Sequence, residues 1–172
     1  MASNLLLTGP SGVGKSFLLQ NVVQQLAGLR CRGFISEIIV DSSMRAGWRL
    51  QGLNSEGGVL AHTNVDFSHR MGKYGVDFDL FTRTVRDELR LDVPADLFVI
   101  DEIGIISSWD PKVEALIEQV LSSTVPVVAI VREKGEGFAS RVRLRNDVEV
   151  RNVSLENQGR LVAEVVEWIR NR

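Results

Sequence analysis

Gly9-Pro10-Ser11-Gly12-Val13-Gly14-Lys15-Ser16 is the stretch on which the fold depends, and it matches the pattern G-x-x-x-x-G-K-S/T of a phosphate-binding loop. An apolar run at residues 5–7 precedes it, and a helical pattern begins at Ser16. A strand that leads through a glycine-rich turn into a helix directs main-chain amides and the positive end of the helix dipole at a bound anion. We therefore expect Lys15 to reach the β- and γ-phosphates and the Ser16 hydroxyl to ligate Mg2+.

The residues expected to bind the nucleotide run from the first glycine of this loop into the helix. Successive amides of such a loop can surround a phosphate group. The alternative is a tight turn that binds nothing. The predicted nucleotide-binding residues are Gly9, Pro10, Ser11, Gly12, Val13, Gly14, Lys15, Ser16 and Phe17.

Composition and charge are those of one ordinary globular domain spanning residues 1–172, with 44% hydrophobic and 24% charged residues. The formal net charge of -2 argues against a dedicated duplex-binding protein, so nucleic acid is an unlikely partner. The single cysteine, Cys31, excludes an internal disulfide and is read as an apolar filler. No apolar run approaches the roughly 20 residues of a membrane span, and residues 5–7 are too short for a signal peptide. We expect a cytoplasmic monomer or weak oligomer without a membrane partner.

Strand and helix patterns alternate along the chain. Strands are predicted at 4–8, 34–40, 97–100, 125–131 and 148–153, and helices at 16–27, 77–89, from 110 onward and at 157–170. A turn at 56–58 joins 47–54 to 59–62 as a β-hairpin insertion. The run at 97–100 is apolar without alternation, which is typical of a strand covered on both faces. The sequence therefore predicts a three-layer α/β/α sandwich with a mainly parallel sheet.

An acidic pair, Asp101-Glu102, follows the 97–100 strand directly. A carboxylate there could hold Mg2+ together with Ser16, because Mg2+ prefers a few oxygen ligands plus phosphates and waters. Adjacent strand residues point to opposite sides, so Asp101 is the predicted metal ligand and Glu102 the base that activates water. The alternative is that one acid caps the next turn and the other is solvated.

Six segments occur in order along the chain: residues 9–16, 33–37, 45–48, 72–76 and 101–104 and the closing helix from 157. Together they resemble the thermophile-type, or cancer-related, nucleoside-triphosphatase family. The resemblance implies slow Mg2+-dependent hydrolysis of ATP, GTP and other nucleoside triphosphates, with broad base tolerance. It also implies a RecA-like sheet in which one strand separates the phosphate-loop strand from the Asp-Glu strand. The chain departs from the family pattern at Trp48, at Ile105-Ile106-Ser107 and at Gln158.

Positive charge beyond Lys15 is expected at the transferring phosphoryl group. The resemblance points to Arg45 as a site-facing residue; the alternative is a surface arginine. The basic segment 132–145 could be a lid with Arg132 as its first candidate, or a solvated charged loop. It also carries Lys134, Arg141, Arg143 and Arg145.

Three further expectations concern residues away from the loop. Asn157 could bond a base or ribose, or cap a helix. Lys73 and Tyr74 belong to a family-specific segment and are expected at the site rim or in a structural role. His62 and His69 lack ligand spacing and are read as non-metal residues.

Three function classes compete. The first is a nucleoside-triphosphate hydrolase, with Glu102, Lys15, Arg132 and Arg45 as catalytic residues. The second is a nucleotide or small-molecule kinase that uses the same phosphate loop. The third is a nucleotide-switched binding module or nucleic-acid-handling protein, which the absence of net basic charge disfavours.

Overall fold

The central strands carry apolar side chains on both faces, and this places helices on both sides of the sheet. In β1 (Asn4–Thr8), Leu5 and Leu7 pack into one core while Leu6 packs into the other. The computed structural model describes residues 3–172, and α1 (Lys15–Gln25) and α5 (Gln158–Arg170) cover the Leu5 side. The opposite face is covered by α2 (Phe78–Glu88), α3 (Pro111–Leu121) and α4 (Phe138–Arg143). The predicted three-layer α/β/α sandwich is confirmed.

Over the described residues the sheet has nine strands in the order β5-β6-β4-β3-β2-β7-β8-β1-β9. Strands β2, β7, β8, β1 and β9 run parallel, and β8 alone separates β1 from β7. The RecA-like arrangement expected from the resemblance is therefore confirmed. The remaining bounds are β2 Cys31–Asp41, β3 Met44–Gly52, β4 Gly58–His62, β5 His69–Met71, β6 Tyr74–Val76, β7 Leu97–Ile103, β8 Val127–Val131 and β9 Val148–Asn152.

The antiparallel insertion is larger than the predicted hairpin. Strands β3 and β4 pair as expected, but β2 also turns back into β3, and β5 and β6 extend the same edge. The β2–β3 turn uses Ser42 and Ser43, both with positive φ (48° and 67°). Serine is not the residue type that normally marks such a turn, and three-residue strands carry too little pattern to recognise.

Local capping signals place two helices where they were predicted. Asp77 accepts a hydrogen bond from the Leu80 amide at 2.9 Å, and Asp110 accepts one from the Lys112 amide at 2.8 Å. In contrast, α4 was not predicted and occupies part of the expected lid or loop at 132–145. Its buried residues, which include Phe138 and Val142, anchor it to the core. No helix within residues 3–172 is long and apolar enough to cross a membrane.

A buried carboxylate ties the insertion to the rest of the fold. Glu88, at the end of α2, is fully buried. Its oxygens accept hydrogen bonds from the amides of Gly33 and Asn54 at 3.1 and 2.7 Å and from the Ser55 hydroxyl at 2.7 Å. Through these hydrogen bonds Glu88 fixes the loop after β3 against β2.

Candidate active site

The phosphate loop lies between the end of β1 and the start of α1, as predicted. Its backbone requires glycine at two close approaches. A Cβ atom on Gly9 (φ +145°) would stand 2.5 Å from the Val153 oxygen, and one on Gly14 (φ +93°) would stand 2.8 Å from Gln158 Oε1. The loop is therefore packed against the β9–α5 connection, where Gln158 faces it directly.

The Lys15 side chain folds over its own loop. Its Nζ atom donates hydrogen bonds to the main-chain oxygens of Gly9 at 2.7 Å and Pro10 at 2.8 Å. Partial burial lowers the pKa of Lys15, while the negative charges of Glu102 and Asp101 act in the opposite direction. The amine therefore lies within electrostatic reach of the acidic pair.

Asp101 is buried and held by β2. Its Oδ2 atom accepts hydrogen bonds from the amide and hydroxyl of Ser36 at 3.1 and 3.0 Å. The hydroxyls of Ser36 and Ser16 lie 3.5 Å apart. Burial raises the pKa of Asp101, and hydrogen bonds from Ser16 and Ser36 oppose that change. The structure thus brings the two predicted metal ligands together and adds Ser36, which the sequence reasoning had not named as a site residue.

Glu102 differs from its neighbour in exposure. Asp101 is only 4% exposed, whereas the Glu102 side chain is accessible to solvent. Even so, surrounding protein atoms desolvate the carboxylate and raise its pKa, and the charge of Asp101 adds to this. Lys15 and Arg132 oppose the increase. Glu102 is therefore a water-accessible carboxylate with raised proton affinity.

A cavity of about 520 Å3 joins the phosphate loop to the acidic pair. Gly9, Pro10, Val13, Arg132 and Asn157 are not part of its wall. The remainder of the wall includes Gln20 of α1 and the polar residues Ser36 and Glu37 of β2. Its other members are mostly apolar and come from β2, β3, β4, β5, α2, β8 and the turn after β7. The predicted site residues that line the cavity are Ser11, Gly12, Gly14, Lys15, Ser16, Phe17, Arg45, Asp101 and Glu102.

Two of the predicted arginines lie near the site in different ways. Arg45 reaches across the cavity mouth, where its Nη1 atom lies 3.4 Å from the Ser11 hydroxyl. Arg132 directly follows β8, and its amide donates to the Ile103 oxygen at 3.0 Å. Its positive charge lowers the pKa of Glu102. The contact of either arginine with phosphate stays a prediction.

The other arginines of the basic segment are engaged elsewhere. Arg141 pairs with Glu114 on α3 at 2.7 Å, and Arg145 pairs with Asp147 at 2.7 Å. Arg143 donates hydrogen bonds to the main-chain oxygens of Arg132 and Gly135. These contacts hold the segment to the fold rather than present three further arginines to the cavity.

Asn157 occupies the position before α5, but its side chain does not cap the helix. Its Nδ2 atom donates to the Asn152 oxygen at 2.9 Å, and its Oδ1 atom accepts from the Ser154 amide at 2.8 Å. The prediction that the Asn157 side chain caps α5 is therefore wrong, because that side chain bonds to main-chain groups of the β9–α5 connection instead. Contact with a base or ribose is untested.

The family-specific Lys73-Tyr74 segment supports the cavity wall. Tyr74 packs edge-on against Trp48 with ring centroids 4.6 Å apart, and the Lys73 amine lies 5.4 Å from the centre of the Tyr74 ring. Cys31 is half-buried against the α1–α5 core, and burial raises the pKa of its thiol. This environment matches the apolar filler predicted.

The side chains present fit a magnesium site completed by nucleotide. Among residues 3–172, no cluster of three or more His, Cys, Asp or Glu side chains could hold a metal by itself. Ser16 and Asp101 offer hard oxygen donors beside the phosphate loop, which is the donor type that Mg2+ takes together with substrate phosphates.

Comparison with known proteins identifies relatives along nearly the whole chain. A family model described as NTPase matches residues 4–166. The nucleoside-triphosphatase THEP1 of Thermotoga sp. (strain RQ2) is 30% identical over 167 residues, covering 96% of this chain and 95% of the relative. The cancer-related nucleoside-triphosphatase homolog of Bos taurus is 31% identical over 182 residues, covering 96% of each chain.

Solved structures show the same fold. The crystal structure of THEP1 from Aquifex aeolicus has a TM-score of 0.79 at 22% identity, covering 96% of this chain and 98% of that one. The solution structure of a human cancer-related nucleoside triphosphatase has a TM-score of 0.77 at 27% identity, covering 99% and 98%. The α/β architecture is thus shared with both.

Proposed function

The chain belongs to the NTPase family, and on that premise we propose that it hydrolyses nucleoside triphosphates to diphosphate and phosphate in a Mg2+-dependent reaction. One observation carries the proposal. The water-accessible Glu102 carboxylate stands at the end of β7, beside buried Asp101 and within electrostatic reach of Lys15 on the phosphate loop. Carboxylates with perturbed pKa values concentrate at functional sites, which favours a reaction over binding alone.

Each residue has a separate task in this mechanism. The loop amides and Lys15 hold the polyphosphate. Ser16 and Asp101 would hold Mg2+, which when bound would supply positive charge at the phosphates. Glu102 orients a water molecule and takes its proton, and its raised pKa makes it a stronger base than an ordinary glutamate. Arg132 and Arg45 contribute positive charge from outside the loop.

Broad base tolerance is supported by how the β9–α5 connection is bonded. Asn157 was the predicted base-contacting residue, and both of its amide atoms are taken by main-chain groups. Because these two bonds hold the Asn157 amide to main-chain groups, the side chain is not free to turn and match the edge of a particular base. We propose that ATP, GTP and other triphosphates are accepted alike.

The cellular setting follows from the sequence. A lone thiol at Cys31 suits a reducing compartment, and we propose a cytoplasmic protein. We further propose a monomer or weak oligomer, which sedimentation equilibrium measures directly.

The function is tested with a panel of triphosphates radiolabelled at the γ-phosphate, with Mg2+ and with chelator. Glu102→Gln is expected to lower kcat about 10²- to 10⁴-fold while leaving affinity for a non-hydrolysable analogue nearly unchanged. Glu167→Gln, an exposed glutamate on α5, is the matched control and should retain wild-type turnover. Wild-type turnover by Glu102→Gln would reject the base assignment, and lack of affinity for any triphosphate would reject the function.

A further inference from the structure

The active-site cavity has two chemically different halves. One half is polar and contains the phosphate loop and the acidic pair. The other half, which we call the apolar compartment, is built by Trp48, Leu60, Met71, Phe81 and Ile106. None of these five side chains carries charge, and Leu60 and Phe81 are buried at its base.

The sheet order places the apolar compartment on the far side of the acidic pair from the phosphate loop. Its members come from β3, β4, β5, α2 and the turn after β7. Strand β4 lies three positions from β7, away from β1, which is about 14 Å along the sheet. The Glu102 carboxylate therefore stands between the two halves.

A triphosphate bound as proposed does not occupy the apolar compartment. Its charged phosphates would lose hydration against apolar walls without gaining partners. Its base lies at the opposite end of the triphosphate from the γ-phosphate, which is the group that faces Glu102. The β9–α5 connection packs against the loop on that opposite side, because β9 lies beyond β1 in the sheet.

The wall of the apolar compartment is suited to a flat ring. Trp48 is fixed from two sides, by the edge of Tyr74 at 4.6 Å between centroids and by the Arg45 guanidinium 5.4 Å from its ring centre. A rigid aromatic wall contacts another ring over a large area at little entropic cost. The five side chains offer no partner to an ionised group, and the charged Arg45 is already engaged with the Trp48 ring, so the compartment favours a neutral body.

We propose that the apolar compartment binds a second substrate, a neutral alcohol with a flat ring, whose hydroxyl group accepts the γ-phosphoryl group in place of water. The proposal rests on the triphosphate site described under the proposed function. The hydroxyl oxygen forms a bond to the γ-phosphorus, and the bond from that phosphorus to the β-phosphate oxygen breaks. The hydroxyl proton passes to the Glu102 carboxylate. The products are a phosphate monoester and a nucleoside diphosphate.

Two probes with the same ring test the proposal. para-Nitrobenzyl alcohol carries a hydroxyl group, and para-nitrotoluene does not. In the presence of Mg2+ and a non-hydrolysable triphosphate, both are expected to bind saturably by calorimetry or saturation-transfer NMR. With γ-labelled triphosphate, only the alcohol should acquire label, whereas para-nitrotoluene should slow phosphate release by displacing water beside Glu102.

Two variants locate the binding site. Met71→Trp fills the apolar compartment and should weaken binding of both probes about tenfold or more, while Met44→Trp on exposed β3 serves as the matched methionine control. Ile106→Phe is the second variant if Met71→Trp does not fold. It fills the same space from the turn after β7.

Three results would overturn the proposal. The first is equal probe affinity in Met71→Trp and Met44→Trp, and the second is competition between probe and triphosphate, which would assign the compartment to the nucleobase. The third is an alcohol that binds but never acquires label. Phosphate release without probe is measured in the same series, so failure of hydrolysis and failure of the second-substrate site are read separately.

Discussion

The Glu102 carboxylate folds back over Gly104, so that its Oε1 atom lies 2.6 Å from the point at which a Cβ atom on Gly104 would stand. The Cδ atom of Glu102 lies 3.2 Å from the same point. Gly104 does not have a positive φ, so its backbone can accept an L side chain. Glycine at residue 104 therefore makes space for the Glu102 carboxylate, and it is not needed for an unusual backbone conformation.

Gly104→Ala is expected to displace the Glu102 carboxylate and lower kcat about 10- to 100-fold, because a shift near 1 Å is costly at a reacting group. Affinity for a non-hydrolysable triphosphate should stay within about twofold, since the phosphate loop is untouched. Steady-state kinetics and analogue binding separate the two effects. Gly159→Ala, at a position with no neighbour within 4 Å, is the matched control. Equal kcat values for the two variants would show that the Glu102 position does not limit turnover.

The pH dependence of hydrolysis should report the raised pKa of Glu102. Desolvation and the charge of Asp101 raise that pKa, and Glu102 acts as a base only when ionised. Activity should therefore be present above the raised pKa and be lost as pH falls through it. The acid limb of kcat/KM is expected above the range of an ordinary glutamate.

Arg132→Gln should move this acid limb to higher pH. The positive charge of Arg132 lowers the pKa of Glu102, so its removal raises the pKa further. Lys134→Gln removes the same charge from the same exposed loop and should leave the limb in place. The measurement is the pH at which kcat/KM falls on the acid side, and not the maximal rate. Equal displacement by both variants would indicate a net-charge effect instead.

The Arg143 guanidinium ties the loop that carries Arg132 to α4. It donates to the main-chain oxygens of Arg132 and Gly135, which lie at the two ends of a short turn. Arg143→Met should speed amide exchange at residues 132–137 and lower kcat about 3- to 10-fold, because the loop then samples positions in which Arg132 is misplaced.

Arg141→Met is the control for this prediction. Arg141 lies two residues away on the same short helix but pairs with Glu114 on α3 at 2.7 Å. An exposed pair of this kind contributes about 1 kcal/mol or less. Exchange at residues 132–137 and kcat should therefore match the wild type. If both variants change exchange equally, loss of α4 rather than loss of the tether is the cause.

The features that could be predicted from the sequence are those that depend on residues close together in the chain. The caps at Asp77 and Asp110 and the glycine loop are local patterns, and the structure has all of them. Glu114 and Glu118, which pair with Arg141 and Arg145, lie on α3, distant in sequence, and no local pattern identifies them. Helix α4 was not predicted for a related reason. Its arginines interrupt the short pattern of apolar residues that pack into the core.

Ser36 shows the same limit within the site. Its amide and hydroxyl reach Asp101 because β2 pairs with β7 in the register that sets Phe34 against Ile100. A side chain two residues beyond that pair meets the carboxylate, and register between strands distant in sequence follows from the assembled sheet. Separate tasks for Asp101 and Glu102 were predicted from strand alternation, but the β7–β8 register shifts between Asp101 and Ile103, so regular strand geometry alone does not set the two side chains apart.

Glu88 is the buried group whose loss should cost most stability without touching the cavity. Its two oxygens accept four hydrogen bonds, from Gly33, from Ser55 and twice from Asn54. Glu88→Gln keeps the shape but turns an amide NH2 toward groups that also donate, which leaves buried donors without acceptors. We expect the free energy of unfolding to fall by about 2–4 kcal/mol.

Urea unfolding of Glu88→Gln and Asp87→Asn measures this effect. Asp87 precedes Glu88 on α2, is exposed and has only a long contact of 3.8 Å with Arg86. Its substitution should change the free energy of unfolding by no more than about 0.5 kcal/mol. Turnover per folded molecule should be unchanged in both, because Glu88 faces the insertion rather than the cavity. Equal unfolding free energies would mean that water or a rearranged loop satisfies the Glu88 donors as well as the carboxylate does.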